Sequence, residues 1–115
     1  MKFCVCPAIH LYQECAANVT SNTLTHNDIG VEILNNASMV KDNTIENSHD
    51  NGLKVLCHGE QQVCTPTISG NRVSSSKYNG ILVMGESSVS PCSPVIQANQ
   101  VDNNRKAGIK VCEGA

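Results

Sequence analysis

The stretch TISGNRVSSSKYNGILV at residues 67–83 decides the fold, because its pattern returns elsewhere in the chain. It recurs as VIQANQVDNNRKAGIKV at 95–111, as MVKDNTIENSHDNGLKV at 39–55, and more raggedly as NVTSNTLTHNDIGVEI at 18–33. Each copy places an aliphatic residue three before an Asn and another two after it. A polar run follows, then a Gly, then aliphatic residues one and three positions beyond it. The Asn column is Asn22, Asn43, Asn71 and Asn99, and the Gly column is Gly30, Gly52, Gly80 and Gly108. The aliphatic columns are Val19, Val40, Ile68, Ile96; Leu24, Ile45, Val73, Val101; Val31, Leu53, Ile81, Ile109; and Ile33, Val55, Val83, Val111. Every one of these positions is aliphatic in a chain that is only 40% apolar, which sets the repeat apart from chance.

Successive repeat asparagines are 21, 28 and 28 residues apart, a period also found in leucine-rich repeats. Those repeats need a leucine-dominated consensus with a helical half. Here the paired apolar positions sit at spacing two, the strand period, in short runs bounded by Gly, Asn, Ser and Pro. The expectation is an all-β, right-handed, single-stranded parallel β-helix of about four rungs of 21–28 residues, with three short strands per rung. Adjacent rungs then lie about 4.8 Å apart and equivalent residues stack in columns. An Asn at a bend tolerates left-handed backbone angles, and its amide can bond the amide of the next rung, relieving an inward polar group. The Gly column is expected at the other corner, turning the chain through a positive φ.

At 115 residues, with 16% charged residues and net charge −2, the chain is of single-domain length, 1–115. One Phe, two Tyr and no Trp are too few to anchor an ordinary aromatic core, which suits a narrow layered interior. The sequence shows no basic stripe or Lys/Arg cluster, so nucleic acid is not an expected partner. No apolar run approaches the length of a membrane span, so no membrane partner is expected either. The N-terminus MKFCVCPAIHLYQECAA looks superficially like a signal peptide, but Cys4, Cys6, Pro7 and His10 interrupt it and it fits the repeat. Seven cysteines without paired CxxC motifs indicate neither a closed disulfide framework nor a zinc ribbon. The expected setting is therefore reducing, intracellular and cytoplasmic.

The pattern N-x-I…N-x-x-x-G-I-x-V resembles the right-handed parallel β-helix repeats of pectate-lyase-like enzymes, of copper-chaperone-like periplasmic proteins, and of the non-enzymatic β-helix domains of certain F-box and spindle-associated proteins. The resemblance covers residues 15 to 113. It specifies fold strongly and function weakly, since one repeat serves enzymes and scaffolds alike. The Pro just before a strand, in Cys64-Thr-Pro66-Thr-Ile68 and Cys92-Ser-Pro94-Val-Ile96, is closer to the F-box-type scaffolds.

Several residues could carry chemistry, and each has an ordinary reading. Cys15, Cys64 and Cys92 each precede a repeat Asn by seven, with Asn36 filling that place in the remaining rung. They could form a disulfide or metal ladder, but a column of small buried thiols is favoured. Cys57 and Cys112 read as loop or edge thiols. His10, His26, His49 and His58 occupy different repeat positions, and Cys57, His58 and Cys64 lack a further ligand for a metal. Asp28, Asp42, Asp50 and Asp102 read as turn residues beside Asn or Gly. The outward columns Glu32, Lys54, Leu82, Lys110; Thr23, Thr44, Arg72, Gln100; and Thr25, Glu46, Ser74, Asp102 read as solvated faces of mixed sign.

Neither a carboxylate pair for glycoside hydrolysis nor an acidic calcium cluster with a nearby base is evident, so no catalytic residue, metal or cofactor is expected. Two segments, 57–66 and 85–94, lengthen the same corner of adjacent rungs and are expected to protrude side by side. Their candidate binding residues are His58, Glu60, Gln61, Gln62, Glu86, Ser87 and Ser88. The expected function is a non-enzymatic scaffold that binds another protein through a strand face or these paired loops. The alternative is a fragment of a carbohydrate-active β-helix enzyme, a polysaccharide lyase or glycosidase, whose catalytic rungs lie outside this chain. No residue pattern supports carbohydrate as the ligand. The terminal rungs carry no evident cap, so the chain is also expected to be a segment of a longer solenoid or to self-associate end to end.

Overall fold

Strand pairing in the computed structural model, which describes residues 7–12, 17–34, 37–57, 65–85 and 94–111, is parallel throughout. After a leading strand β1 (Pro7–Leu11), the chain makes four turns of three strands each. The first turn holds β2 (Asn18–Thr20), β3 (Thr23–Thr25) and β4 (Ile29–Leu34), and the second β5 (Met39–Lys41), β6 (Thr44–Glu46) and β7 (Leu53–Cys57). The third holds β8 (Thr67–Ser69), β9 (Arg72–Ser74) and β10 (Ile81–Gly85), and the fourth β11 (Val95–Gln97), β12 (Gln100–Asp102) and β13 (Ile109–Val111). Like strands of successive turns pair into three sheets. One is β1-β4-β7-β10-β13, the second β2-β5-β8-β11, and the third β3-β6-β9-β12.

The register is the sequence repeat itself. Val19 faces Val40, which faces Ile68, which faces Ile96. Leu24, Ile45, Val73 and Val101 stack in the same way. Val31, Leu53, Ile81 and Ile109 form the third column, and Ile33, Val55, Val83 and Val111 the fourth. β1 sets Ile9 and Leu11 on Val31 and Ile33, so the N-terminal segment does join the repeat. Val31, Ile33, Val40, Ile45, Leu53, Val55, Ile68, Val73 and Ile81 are closed to solvent. Each contributes roughly 1.5–3 kcal/mol by burial. Ile109 and Val111, in the last described strand, remain about half exposed.

The corners correct two expectations. The repeat asparagines do not adopt left-handed angles; the residue before each does, with φ of 56° at Ser21, 55° at Asp42, 65° at Gly70 and 56° at Ala98. A second left-handed column, His26, Asn47, Ser75 and Asn103, lies five residues further on at φ 54–58°. The Gly column is not left-handed either, since Gly70 is the glycine with positive φ among the described residues. Its reason is space. A Cβ on Gly30 would strike the Ile45 side chain and lie 2.6 Å from the Gly52 carbonyl, and one on Gly52 would strike Val73 and lie 2.8 Å from the Gly80 carbonyl. Gly30, Gly52 and Gly80 each lie against an aliphatic side chain and the backbone of the next turn.

The repeat asparagines form the expected ladder. The backbone N–H and the Nδ2 of Asn43 both donate to Asn71 Oδ1, at 2.9 and 3.1 Å, and Asn71 does the same to Asn99 Oδ1 at 2.9 and 3.0 Å. Nδ2 of Asn43 and of Asn71 also donate to the carbonyls of Val19 and Val40, at 2.9 and 3.0 Å. Both amides are 1% exposed and use all four of their bonding positions, which removes the cost of burying them. A second, shorter ladder was not legible beforehand. Asn79 donates from its N–H and Nδ2 to Asn51 Oδ1, both at 3.1 Å, and Asn79 Oδ1 accepts the Ala107 N–H at 3.2 Å. Donation in the first ladder runs toward later turns and in the second toward earlier ones. The two stacks of aligned amide dipoles therefore oppose each other along the axis.

Cys57 is a further correction. It is not a loop or edge thiol but a 2% exposed member of the core, and it is disulfide-bonded. It is the one cysteine among the described residues, so its partner lies outside them.

Candidate recognition groove

The corner that joins the third sheet to the first is built by residues 47–52, 75–80 and 103–108. Backbone bonds lock its turns to one another. Lys77 N–H donates to Ser48 O and Arg105 N–H to Ser76 O, both at 3.0 Å, while Tyr78 N–H donates to Asp50 O at 3.3 Å and Lys106 N–H to Tyr78 O at 3.0 Å. This pairing stacks His49, Lys77 and Arg105 in one column and Asp50, Tyr78 and Lys106 in the next. The first turn is one residue shorter between Asn22 and Gly30 than the later ones are. His49 N–H and Asp50 N–H donate to the adjacent carbonyls of Asn27 and Asp28, so no first-turn residue stands over His49.

His49, Lys77, Tyr78, Arg105 and Lys106 line an open depression of about 490 Å³ on this corner. The side chains of Lys77, Arg105 and Lys106 are exposed, and the Tyr78 ring stands 49% exposed among them. Among the described residues, no carboxylate belongs to the lining. His10 Nε2 lies 3.1 Å from Glu32 Oε1 on another face, and among the described residues no carboxylate stands within ion-pair distance of the three groove cations, the nearby acid being Asp50, one turn before Tyr78 in its column. This corrects the reading that the chain has no basic cluster. Lys77 and Arg105 are 28 residues apart and invisible as a cluster until the turns are stacked. The signal was present in the repeat phase, because His49, Lys77 and Arg105 share one position of the period and Tyr78 and Lys106 the next.

The strand faces carry the outward columns read from the sequence, though not all of them are solvated. His10, Glu32, Lys54, Leu82 and Lys110 stand in register on the first sheet, yet Leu82 is only 8% exposed. Tyr12 packs edge-on to His10 at a centroid distance of 5.0 Å, beside the His10–Glu32 pair. On the third sheet, Ser74 is buried, and Gln100 Nε2 donates to Asp102 Oδ2 at 3.2 Å. Asp102 thus ends a strand and does not sit in a turn. His10 is likewise a strand residue, with Glu32 as its acidic partner.

Asn22, Asn43, Asn71 and Asn99, with Gly30, Gly52, Gly80 and Gly108, occupy the structural columns expected of them and bring no reactive group to the surface. The proposed loop residues His58, Glu60, Gln61, Gln62, Glu86, Ser87 and Ser88 lie outside the described residues. So do Asn36 and the cysteines Cys15, Cys64, Cys92 and Cys112.

No curated protein and no solved structure matches the chain. A family model described as the right-handed beta helix region matches residues 6–115, nearly the whole length, and with three parallel sheets stacked turn on turn the chain belongs to the right-handed β-helix family.

Proposed function

We propose that this chain is a non-enzymatic recognition domain whose rigid solenoid presents the basic corner groove to another protein. The observation that supports this reading is the composition of that groove: three cations and a tyrosine on a hydrogen-bonded corner, with no acid among the described lining residues. Such a surface attracts and orients an oppositely charged partner. Glycoside hydrolysis calls for two carboxylates flanking a scissile bond, and the described residues of this lining offer none. The alternative, a fragment of a carbohydrate-active enzyme, draws support from fold membership alone, which hosts both classes. A disulfide at Cys57 is at home in an oxidising compartment, so the reading does not require a reducing one.

A photo-crosslinking side chain in place of Tyr78 tests the proposal. The expected result is a discrete protein adduct formed at Tyr78, absent when the crosslinker replaces Thr23 on the third sheet, and suppressed by excess unlabelled chain. Equal labelling from both positions would sink the reading, as would turnover of a polysaccharide by the purified chain.

A further inference from the structure

Resting on that reading, we infer that the groove takes an acidic, hydroxyl-poor segment of the partner: an extended stretch that offers Asp or Glu side chains to Lys77, Arg105 and Lys106.

Hydrogen-bond chemistry narrows the occupant. Lysine and arginine donate and never accept, so three of the five lining side chains offer donors alone. Of the other two, Tyr78 brings a single hydroxyl and His49 an imidazole, so acceptor capacity among the lining side chains is small. A saccharide presents a field of hydroxyls, each with a proton to place, and sugar sites meet that need with carboxylate and amide oxygens. Among the described residues, no Asp, Glu, Asn or Gln side chain lines this groove. A ligand that mainly accepts matches it, and ionised carboxylates are acceptors only. Arg105 can grip one through two parallel N–H bonds, whereas Lys77 and Lys106 act as mobile point charges.

Geometry adds a direction. Lys77 and Arg105 occupy one column on successive turns, about 4.8 Å apart at the backbone, and Tyr78 and Lys106 occupy the adjacent column, headed one turn earlier by Asp50, which confines an acidic segment to the later two turns. Carboxylates on one face of an extended peptide recur about every 6.8 Å, and long Lys and Arg side chains splay far enough to meet that step. The segment therefore lies along the solenoid axis, crossing turns, with the exposed Tyr78 ring as an apolar wall for an intervening side chain. The chain as a whole carries net charge −2, so this corner departs from the sign of the molecule and discriminates against other placements of an acidic ligand.

The test is fluorescence anisotropy of a labelled eight-residue peptide of alternating Glu and Val with the intact chain, at about 20 mM and about 200 mM salt. Saturable binding is expected at low salt, weakened at high salt. The double variant Lys77→Gln/Arg105→Gln should bind about tenfold or more weakly with an unchanged thermal midpoint, a loss of about 1.4 kcal/mol per decade. Lys41→Gln/Lys110→Gln removes the same charge elsewhere and should stay within about twofold of the parent. Tri-galacturonate and an octamer of deoxythymidylate serve as competitors, carrying anions on a sugar and on a phosphodiester backbone. The inference is overturned if the peptide does not bind, if the groove and control variants weaken it equally, or if either competitor binds more tightly than the peptide and loses its binding in Lys77→Gln/Arg105→Gln. Those failures leave the Tyr78 crosslink standing, whereas loss of the site-specific crosslink or cleavage of a polysaccharide removes the scaffold reading itself.

Discussion

Asn43 gives two of its three donors to a single atom, Asn71 Oδ1, at 2.9 Å from its backbone N–H and 3.1 Å from its side-chain nitrogen. Removing that oxygen orphans two donors in a site 1% exposed, and removing the Asn71 amide also strips the Val40 carbonyl of its partner. Asn71→Ala should cost about 2–3 kcal/mol, since each buried group left unpaired costs about 1–3 kcal/mol before relaxation. Urea unfolding of the variant measures this. A midpoint equal to the parent's would mean that the ladder is not structural.

Gly52 and Gly108 hold the same repeat position in different surroundings. A Cβ at Gly52 meets the Val73 side chain, the Gly80 carbonyl at 2.8 Å and Ser76 Oγ at 3.0 Å, whereas one at Gly108 finds its nearest atom at 3.5 Å. Gly52→Ala should lose about 1–3 kcal/mol through overpacking. Gly108→Ala should be neutral or gain up to about 1 kcal/mol, because Ala has less freedom to lose from the unfolded chain. Equal thermal shifts for the two would refute the steric account.

Ala98 sits at φ 56°, where Gly70 stands one turn earlier. An L-residue with a Cβ pays about 1–2 kcal/mol in that region, and glycine costs about 0.5–1 kcal/mol in chain entropy. Ala98→Gly should therefore raise stability by about 0.5–1 kcal/mol. A fall in the melting midpoint would show that the strain is relieved in some other way.

Ser48 and Ser76 bury hydroxyl oxygens that find no partner among the described residues. One turn on, Asn104 occupies the same column, its Oδ1 accepting the Ser76 N–H at 3.0 Å and its Nδ2 donating to the Val73 carbonyl at 3.4 Å. Ser76→Asn should repeat that arrangement toward the Ser48 N–H and the Ile45 carbonyl, in the space that Gly52 leaves, and stabilise by about 0.5–1.5 kcal/mol. Chemical denaturation checks it, and destabilisation would mean that the second and third turns are not equivalent at this corner.

The buried disulfide at Cys57 should make stability depend on reductant. Disulfides typically contribute about 2–4 kcal/mol, so melting in the presence of a phosphine reductant should move the midpoint down by several degrees. Cys57 should also resist alkylation after denaturation unless reduced first. Ready alkylation without reductant would show that the bond is absent.

Phase in the sequence was enough for the solenoid, the order of its strands and the four aliphatic columns, because in a parallel stack register and repeat are the same quantity. A residue at one position of the period faces its equivalent one turn away, whatever the intervening loop. Asn22, Asn43, Asn71 and Asn99 could be placed as a ladder for the same reason. The features left to the tertiary structure depend on distances within a turn, which periodicity does not contain. The left-handed residues, Ser21, Asp42, Gly70 and Ala98 in one column and His26, Asn47, Ser75 and Asn103 in the other, are chemically mixed, so composition could not mark them. Gly52 is required by the approach of Val73 and the Gly80 backbone rather than by its own angles, and such closeness exists only once the corner closes. Lys77, Arg105 and Lys106 become one positive surface only because the rungs stack at the separation of hydrogen-bonded strands, bringing side chains 28 residues apart in sequence into reach of a single ligand.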